Sequence, residues 1–132
     1  MQTAEEFLIG QILLIDKPLH WTSFQVVNKL RWEIRSAFNI KKIKVGHAGT
    51  LDPLATGLLV ICTGKMTKQI DTFQGQIKEY TGTFMLGSTT PSYDLETEID
   101  KTFPTAHITE DLIKITSLQF IGDIDQFPPV FS

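Results

Sequence analysis

Within residues 44–68, KVGHAGTLDPLATGLLVICTGKMTK, the side chains able to take part in acid–base or covalent chemistry are few. The segment has one carboxylate, Asp52, and one imidazole, His47, five residues before it. Pro53 follows Asp52 directly, which pushes the aspartate backbone toward extended geometry and holds its side chain at a fixed bend. A carboxylate presented this way can serve a substrate as nucleophile or as base. The bland alternative is an Asp that bonds nearby backbone N–H groups in an ordinary Asp-Pro loop, and residue type and spacing alone favour it. Gly46, Gly49, Asp52, Pro53 and Gly57 fall within a dozen positions, a density of turn formers that belongs to a shaped loop. Residues 58–62 are an unbroken apolar run of strand length, so the loop is anchored to a buried element.

The rest of the chain must position that loop. Residues 7–15 are nearly continuously apolar and read as a central strand, closed by Asp16, Lys17 and Pro18. Thr22 with Gln25 three places on forms a capping box, and Phe24, Val27, Leu30, Ile34 and Phe38 recur at helical steps. This predicts an amphipathic helix over 23–37, with Lys29, Arg31 and Arg35 on its other face. After the loop, 65–73 reads as a short helix with Met66, Ile70 and Phe73 inward, stopped by Gly75. Residues 77–86 alternate as a strand, placing Tyr80, Gly82, Phe84 and Leu86 on one face; on spacing alone Tyr80 is then a core aromatic. A strand over 97–103, a helix over 110–118 capped by Thr109, and a last strand over 119–125 complete the expected order.

At 132 residues the chain has one domain's length, with 42% hydrophobic and 20% charged residues, which excludes a wholly disordered protein. No apolar run approaches the roughly 20 residues of a membrane span, and the N-terminus lacks the basic region of a signal peptide, so a cytoplasmic location is expected. Cys62 is the single cysteine; it allows neither an internal disulfide nor a cysteine-based metal site and is expected in the core. The overall charge of −3 conceals an asymmetry. Residues 29–44 carry a local net of +5, and residues 92–125 a local net of −6. The basic run can contact phosphates, or it is simply a solvated helix face, which is the commoner case.

The stretch GHAGTLDPLATGLL followed by G-x-x-T-K resembles the active-site signature of the TruB family of tRNA pseudouridine synthases. That resemblance implies that Asp52 is the catalytic residue. The segment around Lys17, Pro18, Thr22 and Ser23 is similar to the family's K-P-x-G-x-T-S, with His20 standing where glycine is usual. Lys78-Glu79-Tyr80 is similar to the K-x-Y context in which a family tyrosine packs on the target base. Leu86, Gly87, Thr90 and Asp94 match a further family segment, in which Pro91 and Ser92 replace the usual Asp and Thr. The implied substrate-binding residues are therefore Lys17, Gly46, His47, Tyr80 and Asp94. The implied fold is α+β, a pseudouridine synthase-like mixed and largely antiparallel sheet flanked by helices. QFPPVFS resembles a family segment interrupted after its serine. Residues 1–132 are therefore expected to be the N-terminal part of the catalytic domain, with a sheet incomplete at the C-terminal end, without any C-terminal RNA-binding domain, and catalytically silent alone.

The implied reaction converts a uridine in the T loop of tRNA to pseudouridine. It breaks the glycosidic bond, turns the uracil and rejoins it through carbon, without redox change, so no cofactor is expected. The T arm of tRNA is the expected partner; no metal, membrane or obligate protein partner is. Two other readings compete. One is a non-catalytic RNA-binding or tRNA-folding module. The other is a small-molecule phosphate binder, which is disfavoured because the glycine-rich loop lacks the Lys-Ser/Thr ending of a P-loop.

Overall fold

The computed structural model describes residues 3–128. The end of the QFPPVFS motif, residues 129–132, lies outside them. The chain forms two compact units, Met1–Glu79 and Tyr80–Ser132, each considered by itself.

The first unit begins with a helix where a strand was expected. Thr3 accepts from the Glu6 amide and Glu6 reaches back to the Thr3 amide, and this capping box starts α1 (Ala4–Ile9). Gly10 ends it with φ +136; a Cβ there would sit 2.6 Å from the Met66 nitrogen, so no larger residue fits. Only then does β1 (Ile12–Lys17) run. The apolar stretch 7–15 is thus a helix end and a strand separated by a glycine, and Phe7 is buried from the helix. The amphipathic helix appears as α2 (Ser23–Ala37), with the capping box of Thr22 and Gln25 in place. Of the expected inward face, Val27 and Ile34 are buried and Leu30 and Phe38 pack against the core, joined by Ser23 and Val26, while Phe24 departs from it at 63% exposed.

Next come β2 (Val45–His47) and β3 (Gly57–Thr63), bracketing the glycine-rich loop and confirming that the apolar run is a strand. The strands lie in the order β1-β3-β2, both pairings antiparallel. Ile12 faces Cys62 through to Lys17 facing Gly57, and Val45 faces Thr63 through to His47 facing Ile61. The central strand β3 is therefore the most enclosed: Leu59 is 1% and Ile61 0% exposed. With Phe7, Val26, Val27, Ile34, Ile43 and Val45 they make the core of the unit, each such side chain stabilising by about 1.5–3 kcal/mol when fully buried. Cys62 is buried, as expected. A 3-10 turn over Gly64–Gln69 continues into α3 (Ile70–Gln74), ended at Gly75, so the short second helix is present with a tighter first half.

The second unit carries less regular structure than its alternation suggested. Residues 77–86 do not form a strand; the first pairing is between β4 (Ser88–Thr89) and β5 (Lys101–Thr102), antiparallel and two residues long. The expected strand over 97–103 shrinks to β5, and 119–125 opens with a 3-10 turn, Leu118–Phe120, instead of a strand. The cause is physical: alternation makes a strand only where a partner ladder and a surface to pack on exist, and Thr90 is the one buried residue among those described in this unit. The helix capped by Thr109 is present as α4 (Glu110–Ser117), the Thr109 hydroxyl accepting from the Leu112 amide. The architecture is α+β, with small antiparallel sheets flanked by helices. Among the described residues no helix is long and apolar enough to cross a membrane.

Candidate active site

The loop of residues 48–56 hangs from the β2–β3 hairpin, and the last pairing before it is the Ala48 amide donating to the Val60 carbonyl at 2.8 Å. Gly49 at φ +106 and Gly57 at φ +116 supply the two left-handed bends at its ends, a conformation that side chains resist. Asp52 lies between them, exposed.

The backbone around Asp52 is fastened at three successive residues. At Leu51, one hydroxyl serves both polar groups: the Leu51 amide donates to Ser23 Oγ at 2.9 Å, and Ser23 Oγ donates to the Leu51 carbonyl at 3.1 Å. Ser23 is the buried first residue of α2. At Asp52, the carbonyl accepts from the Ala55 amide at 3.0 Å, closing a turn. At Pro53, the carbonyl accepts from the His20 amide at 2.8 Å and from Lys17 Nζ at 3.4 Å. A partly buried bend of this kind must account for its backbone groups, and here side chains and amides from the β1–α2 connection do so.

Lys17 works beneath the loop. It is fully buried at the end of β1, and its ammonium also donates to the Pro18 carbonyl at 3.0 Å and the Trp21 carbonyl at 2.5 Å. An ammonium has three donors and is costly to bury unless they are used; three carbonyls use them. The residue implied as a substrate binder thus ties the β1–α2 turn to Pro53. His20 takes φ +64 in that turn, the left-handed conformation that explains why glycine stands there in the family segment.

His47, half-buried at the end of β2, directs Nδ1 at the Gly49 carbonyl, 2.7 Å away. A carbonyl only accepts, so Nδ1 carries the proton and Nε2 is the nitrogen left to another partner. Gly46 lies in β2, where a Cβ would stand 2.9 Å from the Ile70 Cδ1 atom at the start of α3, so a larger residue would require the Ile70 side chain to shift.

Lys17, Gly46, His47 and Asp52 therefore come together in the first unit, on or under one hairpin loop. Tyr80 and Asp94 belong to the second unit. Tyr80 is 69% exposed, in irregular chain instead of on a packed strand face. Asp94 closes a local loop: its carboxylate accepts from Ser92 Oγ at 2.6 Å and from the Glu96 amide at 2.9 Å, while its carbonyl accepts from Thr90 Oγ1 at 2.6 Å. The Ser92 hydroxyl, then the Glu96 amide, hold its carboxyl below the usual aspartate value. Ser23 was not singled out from the sequence as a site residue. Its signal was present, a hydroxyl at the start of a helix directly after the capping threonine.

Residues 35–132 match the family described as TruB family pseudouridylate synthase (N terminal domain). A protein of Flavobacterium johnsoniae named tRNA pseudouridine synthase B is 68% identical over 131 residues, covering 98% of this chain and 57% of the relative. Proteins of the same name from Phocaeicola vulgatus and Parabacteroides distasonis are 61% and 58% identical, each over 96% of this chain and 54% of their own length. The chain thus spans about half the length of the curated relatives it matches. With a family match over residues 35–132, the chain belongs to the TruB family of pseudouridylate synthases, in the region of its N-terminal domain.

Proposed function

We propose that this chain supplies the catalytic loop of an enzyme that isomerises uridine to pseudouridine in the T loop of tRNA. In this reading Asp52 is the catalytic carboxylate and Tyr80 the aromatic that stacks on the extruded base. The observation that carries it is Asp52 itself, an exposed acid on a bend whose backbone is fastened at Leu51, Asp52 and Pro53. Catalysis demands a reacting group held in one geometry before substrate arrives, and a backbone fastened on both sides of Asp52 supports this reading.

The reaction breaks the bond between uracil N1 and the anomeric carbon and makes one from C5 to the same carbon. The C5 proton leaves and N1 gains one, so atoms and electrons balance without an oxidant or reductant. Asp52 serves either by attacking the sugar or base, or by removing the 2′ proton while its charge stabilises the anomeric cation; the loop presents the same oxygens to both routes. The uridine must leave its stack to reach the carboxylate, and an exposed aromatic such as Tyr80 can replace the lost stacking. The names of the curated relatives support tRNA as the substrate.

The test uses the complete gene product and unmodified tRNA carrying tritium at uracil C5. Tritium should pass to water with one equivalent per tRNA, traced to a T-loop uridine. A protein that binds the tRNA but releases no tritium would instead be a non-catalytic RNA-binding module.

A further inference from the structure

The turn between β1 and α2 carries a strained residue against the Asp52 loop. His20 holds φ +64, left-handed backbone that a residue with a side chain adopts only at a cost. The turn is closed by the Trp21 amide donating to the Pro18 carbonyl at 3.4 Å, and Lys17 ties the Pro18 and Trp21 carbonyls from beneath. The His20 amide donates to the Pro53 carbonyl at 2.8 Å, one residue past Asp52. All of these bonds are made by backbone or by Lys17, and none uses the His20 ring. Among the described residues the only imidazole in a hydrogen bond is that of His47, and His20 is in neither ion pair. A side chain kept at a strained position, exposed and uncommitted, points to a role outside the fold.

The charged groups on the elements around this turn are few. Asp16 and Lys17 end β1, Asp52 is on the loop, His47 stands at its foot, and the first turn of α2 holds no charge. Lys17 is fully buried, its ammonium committed to the carbonyls of Pro18, Trp21 and Pro53. His47 is half-buried with Nδ1 on the Gly49 carbonyl. Asp16 and Asp52 are both exposed, which leaves His20 as the one exposed base among these groups. A uridine brought to Asp52 carries its own phosphates with it, since they hang from the same sugar. Two exposed carboxylates oppose those phosphates, and a positive charge at His20 offsets the repulsion.

We propose that His20 is a substrate-binding residue of this site, its imidazolium pairing with a phosphate beside the target uridine. Binding of tRNA then strengthens as the pH falls through the range in which histidine gains its charge, about pH 8 to 5. Glycine at this position would relax the backbone and leave the carboxylates unopposed; histidine accepts the strain and supplies the charge. The inference rests on the reading of the chain as part of a tRNA-modifying enzyme.

The experiment measures tRNA binding by the complete gene product carrying Asp52→Asn, so that neither turnover nor the Asp52 carboxylate interferes, at pH 8 and pH 6 over a range of salt. His20→Asn is the comparison, because asparagine tolerates left-handed backbone and stays neutral. Acidification should strengthen binding by about two- to five-fold more in the parent than in His20→Asn, the size of one exposed charge pair. It should also steepen the slope of log affinity against log salt by about one more. His20→Lys should bind at pH 8 as the parent does at pH 6. The inference is overturned if His20→Asn gains as much as the parent on acidification, since another group is then the cause. It is also overturned if His20→Lys binds no better than His20→Asn at pH 8. Tritium release, read separately with Asp52 intact, keeps the two readings apart. Release without the His20 effect sinks this inference alone, whereas the His20 effect without release defeats the proposed activity and leaves the phosphate contact standing.

Discussion

Ser23 and Leu51 hold each other through two hydrogen bonds that share one hydroxyl, the Leu51 amide donating at 2.9 Å and Ser23 Oγ donating back to the Leu51 carbonyl at 3.1 Å. The contact joins the first turn of α2 to the residue immediately before Asp52. Removing the hydroxyl strands an amide and a carbonyl in a place where Ser23 is 2% exposed. Ser23→Ala should therefore cost about 1–3 kcal/mol of stability, seen as a lower urea midpoint. In the complete gene product it should lower kcat more than it raises KM for tRNA, because a loosened loop misplaces Asp52 without removing an RNA contact. An unchanged midpoint would show that water replaces the hydroxyl and that the clasp is dispensable.

A second prediction concerns His20, whose φ of +64 puts a side chain in a conformation that glycine adopts freely. Left-handed geometry costs a non-glycine residue about 1–2 kcal/mol, and glycine gives back about 0.5–1 kcal/mol in unfolded-state entropy. His20→Gly should thus stabilise by about 0.5–1 kcal/mol, since the amide that bonds the Pro53 carbonyl is retained. His20→Val should destabilise. A loss of stability in the glycine variant would mean that the imidazole makes a contribution larger than the strain.

Burial supplies a third prediction, at high pH. The Cys62 thiol is raised above its ordinary value of 9.0 because the interior disfavours the thiolate. The unfolded chain therefore ionises first, from about pH 9 upward, while the folded chain keeps its proton. Stability is unaffected by this group below pH 9 and falls as pH rises from there toward the folded value. The urea midpoint should drop between pH 8 and pH 10 by more in the wild type than in Cys62→Ala, the difference isolating the thiol from lysines and tyrosines. A thiol reagent at pH 8 should label Cys62 only on unfolding.

How much of this was legible in the sequence depends on where the deciding interaction lay. The helix α2 was readable at its start, because Thr22 and Gln25 cap it locally, and along its length, because its apolar residues recur at helical steps. The loop into β3 was equally readable, since glycines and an apolar run are local signals. The segment 7–15 was misread because Thr3 and Glu6, outside the apolar run, start a helix that claims Phe7, and Gly10 divides what composition made continuous. The strand over 77–86 failed for the opposite reason: its alternation was real, but a strand also needs a neighbour, and none of the described residues pairs with it. At the candidate site, the motif put Asp52 on a shaped loop before an apolar strand, and the structure has it on the loop between β2 and β3. The parts played by Ser23 and Lys17 were not legible, because each depends on a contact reaching 28 or 36 residues along the chain.

Tyr80 carries the fourth prediction. Its ring is 69% exposed, so replacing it should leave the melting temperature unchanged. If the ring stacks on an extruded base, Tyr80→Phe should keep turnover within a few-fold, while Tyr80→Ala should lose about 1–3 kcal/mol of stacking, roughly ten- to a hundred-fold in kcat/KM. Equal losses in the two variants would assign the function to the hydroxyl and not to the ring.

The last prediction tests Asp52 by three substitutions at one position. Among the described residues its carboxylate is in neither ion pair, and the turn it occupies is held by backbone and by neighbouring side chains. Asp52→Asn keeps the shape and removes only the charge, so the fold and the tRNA affinity should stay close to wild type. Turnover, read as tritium release, should fall by more than about 10³-fold, since a neutral amide neither attacks carbon nor takes a proton. Asp52→Glu keeps the charge but moves it by about one bond length beyond the pinned backbone, and a displacement of about 1 Å can cost on the order of a hundredfold. Asp52→Ala should resemble the asparagine variant in rate. The order of activities, aspartate above glutamate above asparagine and alanine alike, is what a fixed, charged group on a rigid loop requires. Near-wild-type turnover in the asparagine variant would sink the assignment and move the chemistry to another residue.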